Sequence, residues 1–317
     1  MDKFKMSACT LAVIAISVLS LFVGGGYTAK LLTWIAIAGL VASSFRFVLL
    51  IGELNFATAA FVGIGAYSAG VAATVLELPF PVALLSGGLI ACVVSLVFGF
   101  ITLRTSGPYF LLIGFAFTEV MRIIYTQVDW LGGNSGLIGI FVPERLEAFL
   151  PAFVVMVCAV LIAGMYLIER SNLGRVFTAI KDNENVAKSV GVRVHLNKIL
   201  CFAIASFAAG IAGSLHAYTN NVISPADFGF LLSTFALAYL KVGGEDYTLG
   251  PIFGAALLVL LNAVALEFGG SEHIFYGAAI VICMLLFPKG LLGLAGKWVK
   301  ARGADPVVKP VVRRAEQ

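Results

Sequence analysis

Long apolar runs, separated by short polar breaks, follow one another along most of this 317-residue chain. A bilayer has a hydrocarbon core about 30 Å thick, so a helix needs about 20 consecutive apolar residues to cross it. Hydrophobic residues make up 60% of the sequence and charged residues 12%, whereas a soluble domain carries roughly 25% charged residues. The pattern predicts an all-α, polytopic transmembrane helical bundle and excludes a separate soluble domain.

The charged, proline and glycine breaks between the apolar runs predict about ten membrane spans. These spans lie at 6–24, 31–52, 55–76, 81–103, 108–128, 151–168, 198–218, 229–243, 249–268 and 273–288. The run at 229–243 is short, and the run at 55–76 follows its predecessor almost directly, so either is a candidate for a re-entrant or broken helix. We expect the first run to be kept as a span rather than removed as a secretory signal.

Basic residues set the predicted orientation, because loops rich in lysine and arginine stay in the cytoplasm. The polar segment 170–198 and the tail 297–317 are the most basic parts of the chain. Six predicted spans precede the polar segment and four follow it, which places both segments and both termini on the cytoplasmic side. We therefore expect a transmembrane permease domain at 1–296, a cytoplasmic tail after it, and an external loop with a short interfacial helix at 129–150.

The polar segment has a helical pattern of its own. Its apolar residues gather on one side, and Gly191 stands where such a helix would end. The apolar stripe consists of Leu173, Val176, Phe177, Ile180, Ala187 and Val190. A short surface helix of this kind fits a groove on another protein, or it lies flat on the inner leaflet with its basic residues among the headgroups. The residues alone leave both interpretations open.

Several motifs, in order along the chain, carry a family resemblance. They are AFVGIGAY at 60–67, GPYFLLIGFAFTEVMR at 107–122, SNLGRVFTAIKDNENVAKSVGV at 171–192, FAAGIAGSLHAY at 207–218, SPADF at 224–228, GGEDYTLGP at 243–251 and FPKGLLG at 287–293. From 52 to 293 the chain resembles the LivM-type permeases of the branched-chain amino-acid ABC importers. It departs from that family at 56–59, where FATA replaces a frequent Leu-Gly-His-Gly run, and at Arg46, which lies in a usually uncharged span.

This resemblance implies the permease subunit of a bacterial ABC importer, without enzymatic activity, in the cytoplasmic (inner) membrane. The polar segment would then be the coupling loop that docks into the ATPase subunits, and its matching residues are Ala179, Ile180, Asn183, Ala187 and Gly191. A sister permease and an external solute-binding protein would complete the complex. Branched-chain amino acids are the family's usual solute, and urea, short amides and small aromatic acids are alternatives that the sequence leaves open.

Ionisable residues inside a span are costly to bury alone, so each needs a partner or a cavity. The residues in question are Arg46, Glu53, Glu119, Arg122 and Glu267. Glu119 and Arg122 are three residues apart on one helix face and are predicted to form an ion pair. Arg46 and Glu53 lie two turns apart, so each is predicted to find its partner elsewhere.

A polar cluster stands where the second and third predicted spans meet. It consists of Glu53, Asn55 and Thr58. Polar groups at a helix break can meet a polar solute, so we predict that these residues line the translocation path or its inner gate. Capping of a helix start by Asn55 is the alternative.

The sequence contains none of the common nucleotide-binding, metal-binding or catalytic motifs. It has no phosphate-binding P-loop, no HExxH and no GxSxG, and its five cysteines fall singly in apolar stretches. We therefore expect no cofactor, no metal and no nucleic-acid partner, and ATP hydrolysis on another chain. A rival of a different class is a secondary transporter or channel driven by an ion gradient, which would need acidic or histidine residues poised in the middle of the membrane.

Overall fold

The computed structural model describes residues 26–147 and 149–265, together with positions 277, 278, 280–282, 285, 290 and 291. The described residues form mainly α-helices. They are α1 (Tyr27–Leu49), α2 (Thr58–Thr74), α3 (Phe80–Thr102), α4 (Pro108–Gln127), α5 (Glu144–Glu147), α6 (Leu150–Arg170), α7 (Asn172–Asp182), α8 (Glu184–Ser189), α9 (Val194–Asn220), α10 (Phe230–Gly243) and α11 (Gly250–Ala265). Two short strands, β1 (Leu137–Ile138) and β2 (Val222–Ile223), complete it with short 3-10 turns.

Proline sets the start of several membrane helices. Pro108 is the first residue of α4, and α3 and α6 also have proline in their first two positions. The missing N–H of proline costs nothing there, because the first N–H groups of a helix have no partner within it. Gly107, with a φ of 65°, lets the chain reverse just before α4.

The predicted spans agree with the described helices at eight of the ten positions. Helices α1, α3, α4, α6 and α9 are long and apolar enough to cross a membrane. Helix α2 has 17 residues and α10 has 14, so both fall short of a bilayer core of about 30 Å. Helix α10 is thus as short as its run predicts, and whether either run is a re-entrant or broken helix stays a prediction. The first predicted span, Glu267 and the tail lie outside the described residues, as does most of the last span.

A small antiparallel ribbon marks one end of the bundle. Leu137 of β1 faces Ile223 of β2, which joins the segment after α4 to the segment after α9. The segment 129–150 also contains 3-10 turns and the predicted short helix, α5, and its place outside the membrane stays a prediction. The ribbon itself was not predicted, because two-residue strands carry no readable alternation. We call this the ribbon end, and the opposite end, where α7 and α8 lie, the loop end.

Helix α9 is the centre of the bundle and packs against α1, α2 and α3. Small residues make these contacts close. A Cβ atom on Gly213 would collide with the backbone carbonyl of Val62, and one on Gly210 would meet the backbone of Gly87. Gly210 and Gly213 thus allow the close helix packing that small residues provide in membrane proteins.

Candidate functional site

The polar segment folds as two short helices, α7 and α8, at the loop end. Asn183 separates them: its backbone is extended (φ −163°, ψ 108°), and its Oδ1 accepts hydrogen bonds from the N–H groups of Asn185 and Val186. The prediction of a single helix is therefore wrong, because an asparagine side chain caps a new helix at this point. Gly191, with a φ of 85°, ends α8 as predicted.

Only part of the predicted apolar stripe is buried against the rest of the chain. Phe177, Ile180 and Ala187 are buried, and the Phe177 ring meets the Phe47 ring of α1 at 6.1 Å between centroids. Leu173 and Val190 of the predicted stripe are exposed instead. Of the five predicted coupling residues, Ile180 and Ala187 thus fix the segment to its own chain.

Part of the exposed surface of the segment is apolar. Ala179, Asn183 and Gly191 are exposed there together with Val186 and Val190, whose exposed fractions are 59% and 75%. Val186 did not belong to the predicted stripe. We call these five residues the outward face.

Lys198 ties the polar segment to the break between α1 and α2. Its Nζ lies 3.1 Å from Glu53 Oε1 and also contacts Glu184 at the start of α8. The second Glu53 oxygen accepts the Gly107 N–H at 2.9 Å. The side chains of Lys198 and Glu53 are each 3% exposed, so this is a buried ion pair. Sequence reasoning counted Lys198 only as a basic loop residue.

A second ion pair, between the buried Arg46 and the partly exposed Glu169, lies at the same end. Arg46 of α1 makes a bidentate contact with Glu169 of α6, at 2.8 and 2.9 Å. Arg46 Nε also donates to the carbonyl of Glu245, and Thr248 donates to Glu169. The turn between α10 and α11 is thereby joined to α1 and α6. The prediction that Arg46 and Glu53 each have a separate partner is confirmed.

The break between α1 and α2 is enclosed by side chains from other helices. The Phe56 carbonyl accepts hydrogen bonds from Thr118 of α4 at 2.9 Å and from Ser233 of α10 at 2.8 Å. Ser233 Oγ in turn accepts the Ala59 N–H at 3.0 Å. Non-helical backbone is tolerated at membrane depth only when it is satisfied in this way or lines a water-filled cavity.

The three residues predicted for the path all lie at this break. Asn55 Oδ1 accepts the Ala57 N–H, and Thr58 Oγ1 donates to the Asn55 carbonyl. Glu53, Asn55 and Thr58 are buried within the chain. The N-cap position of α2 is Ala57, which has no side-chain cap hydrogen bond, so the capping alternative for Asn55 is wrong: its side chain closes a turn just before the helix. Their role in a path stays a prediction, and their burial gives it no support.

Glu119 and Arg122 of α4 form the ion pair that their spacing predicts, with 2.7 Å between Arg122 Nε and Glu119 Oε2. Among the residues that the structure describes, no group of three or more histidine, cysteine, aspartate or glutamate side chains is placed to hold a metal ion.

A family model described as "Branched-chain amino acid transport system / permease component" matches residues 27–287. The chain belongs to this family. It is a multi-pass membrane permease, in agreement with its long apolar helices. No solved structure matches it.

The relatives with curated names are permeases of several solutes. The chain is 26% identical to the high-affinity branched-chain amino acid transport system permease protein LivM of Escherichia coli K12, over 79% of this chain and 66% of LivM. It is 24% identical to BraD of Pseudomonas aeruginosa, a permease protein of the same kind of system, over 77% of this chain and 87% of BraD. The ribose import permease protein RbsC of E. coli K12 is 24% identical over 47% of this chain and 51% of RbsC. The chain thus spans just under two thirds of the LivM length.

Proposed function

We propose that this permease is the membrane subunit of an ATP-driven importer and moves a small polar solute into the cell. The observation that supports this most is the polar segment, which is capped as two helices and fixed to the bundle through the buried Lys198 and Glu53 pair. A segment held so firmly and yet exposing an apolar surface is suited to transmit force from a partner protein. The chain has no P-loop, so a separate ATPase subunit hydrolyses the ATP.

The outward face is the proposed docking surface for the ATPase. Val186 and Val190 supply apolar contacts, and Asn183 supplies a polar one. The surrounding charged residues Lys181, Asp182 and Lys188 are also exposed and form a polar rim. A small apolar centre within a polar rim is the usual anatomy of a protein interface.

The remaining parts of the complex follow from the family. A sister permease forms the path together with this chain, and an external binding protein delivers the solute to the ribbon end. The polar segment and both termini lie in the cytoplasm, because basic segments stay inside. The cytoplasmic (inner) membrane of a bacterium is the compartment for such an assembly. Branched-chain amino acids are the proposed solute, since relatives such as LivM and BraD are named for them.

Affinity purification from the native membrane tests the proposal. We expect the chain to recover an ATPase subunit and a second permease, and Val190→Asp to lose the ATPase while the second permease stays bound. The control is Val222→Asp, which changes an exposed valine of β2 at the ribbon end. Recovery of no ATPase with the unmodified chain, together with uptake that resists ATP depletion, would contradict the importer proposal.

A further inference from the structure

One charged pair of this protein lies on the surface of the bundle at the depth of the membrane. The side chains of Glu119 and Arg122 are 24% and 40% exposed. Glu119 is eleven residues from the first and eight from the last residue of α4, hence about 16 Å and about 12 Å from the two helix ends. Hydrocarbon would surround these charges if this face of α4 met lipid.

The geometry of the pair argues against lipid. An arginine that faces lipid turns its head toward the nearer interface. The nearer end of α4 for Arg122 is Gln127, yet its Nε donates backward to Glu119, one turn deeper in the membrane. This face of α4 therefore meets water or protein in the assembled transporter.

The pair stands beside the start of the short helix α10. Glu119 Oε1 accepts the N–H of Phe230, the first residue of α10, at 3.2 Å. Phe115, one turn before Glu119, packs its ring 5.4 Å from the Phe230 ring, and Thr234 is exposed one turn further along α10. Helices that begin within the membrane commonly form solute sites in transporters. We call this surface the α4–α10 face.

Arg122 keeps unused donors on this face. In the described part of the chain, Nε is the only nitrogen of the Arg122 side chain with a hydrogen-bond partner. A guanidinium group has four further N–H donors on its two terminal nitrogens, in a planar arrangement that matches a carboxylate. Glu119 holds the group in place and leaves that edge free.

We propose that the α4–α10 face is one wall of the solute path and that Arg122 binds the carboxylate of the passing solute. The proposal rests on the function proposed above and narrows it. Amino acids and small aromatic acids carry the carboxylate that Arg122 requires, whereas urea and short amides do not. The three buried residues at the break after α1 are then the support of the path rather than its lining.

Cysteine accessibility tests the position of the face. The parent is the complete importer in proteoliposomes, with the five native cysteines of this chain replaced by alanine. Thr234→Cys places a thiol on the α4–α10 face, and the matched control Val160→Cys places one on the exposed side of α6 near its middle. A charged methanethiosulfonate reacts with thiolates in water and not with thiols in lipid. We expect Thr234→Cys to react, its reaction to be slowed by leucine with the binding protein present, and Val160→Cys to stay unmodified.

Uptake kinetics test the role of Arg122. With radiolabelled leucine as the probe, or benzoate if the parent imports that instead, Arg122→Gln is expected to raise KM at least tenfold and to abolish protection of Thr234→Cys. Arg104→Gln, the same change at an exposed arginine outside the spans, should leave KM unchanged. If Arg122→Gln fails to assemble, Arg122→Lys tests the role of the guanidinium group instead. Lysine keeps the positive charge but lacks the planar fork, so a raised KM is expected.

Three results would overturn this inference while the importer proposal stands. The first is a Thr234→Cys variant that transports but reacts no faster than Val160→Cys. The second is an unchanged KM in the assembled Arg122 variant. The third is a parent that imports urea but neither leucine nor benzoate. A parent that recovers no ATPase would instead contradict the importer proposal itself.

Discussion

Replacement of Lys198 by methionine tests the link between the polar segment and the membrane break. Lys198 is buried and lies 3.1 Å from Glu53, so its loss leaves a carboxylate without a counter-ion inside the protein. Removing one partner of a buried ion pair typically costs about 3–5 kcal/mol. Glu53 keeps the Gly107 N–H, which favours the lower part of that range, so we expect Lys198→Met to lower the free energy of unfolding by about 3 kcal/mol.

The double variant Glu53→Gln with Lys198→Met separates charge burial from packing. It removes both charges, and glutamine can still accept the Gly107 N–H, so most of the lost stability should return. Lys188→Met is the control, because Lys188 is exposed and its Nζ lies 3.9 Å from Glu184 Oε2. Surface ion pairs of this kind contribute under about 1 kcal/mol to stability. The assay is reversible unfolding in mixed micelles by titration with a denaturing detergent. A Lys198→Met protein as stable as the Lys188→Met protein would refute the reasoning.

Three further changes have definite expected outcomes. Asn183→Ala removes the cap of α8 and should cost about 1 kcal/mol of local stability, measured as faster amide hydrogen exchange in α8; unchanged exchange would contradict the cap. Gly213→Val places a side chain against neighbouring backbone and should prevent accumulation of folded protein. Gly164→Val is the control, because Gly164 has open space around it and this variant should accumulate normally. The measurement is fluorescence-detected gel filtration, and equal peaks for the two variants would contradict the close packing. Ser233→Ala removes one of the two hydrogen bonds to the Phe56 carbonyl and leaves the buried Ala59 N–H without its acceptor. It should cost about 1–3 kcal/mol in the micelle assay, a loss that would be absent if the break were solvated.

The membrane helices could be predicted from the sequence because hydrocarbon imposes a length and a composition on each span. The ion pairing of Arg122 with Glu119 was predictable too, since both lie on one helix. For Arg46, the sequence indicated only that a partner was required, because Glu169 is 123 residues away along the chain. Long-range pairing depends on how helices pack, and one sequence does not carry that information.

The candidate site was harder to predict than the fold. Helical periodicity continues through Asn183 in the sequence, whereas its extended backbone and side-chain hydrogen bonds show that a new helix starts there. Phe177, Ile180 and Ala187 of the predicted stripe are buried, whereas Leu173 in the first turn of α7 and Val190 just after α8 are exposed. Lys198 counted as a basic loop residue because nothing local indicates that α9 carries it into the interior beside Glu53.

ATP-dependent uptake tests the central claim most directly. The chain is purified with the subunits that accompany it, reconstituted into proteoliposomes with the ATPase side facing the bath, and loaded with radiolabelled leucine and the external binding protein. The account predicts that leucine leaves the lumen when ATP is added outside, and that neither a non-hydrolysable analogue nor a proton or sodium gradient replaces ATP. Transport that follows an ion gradient and ignores ATP would contradict it.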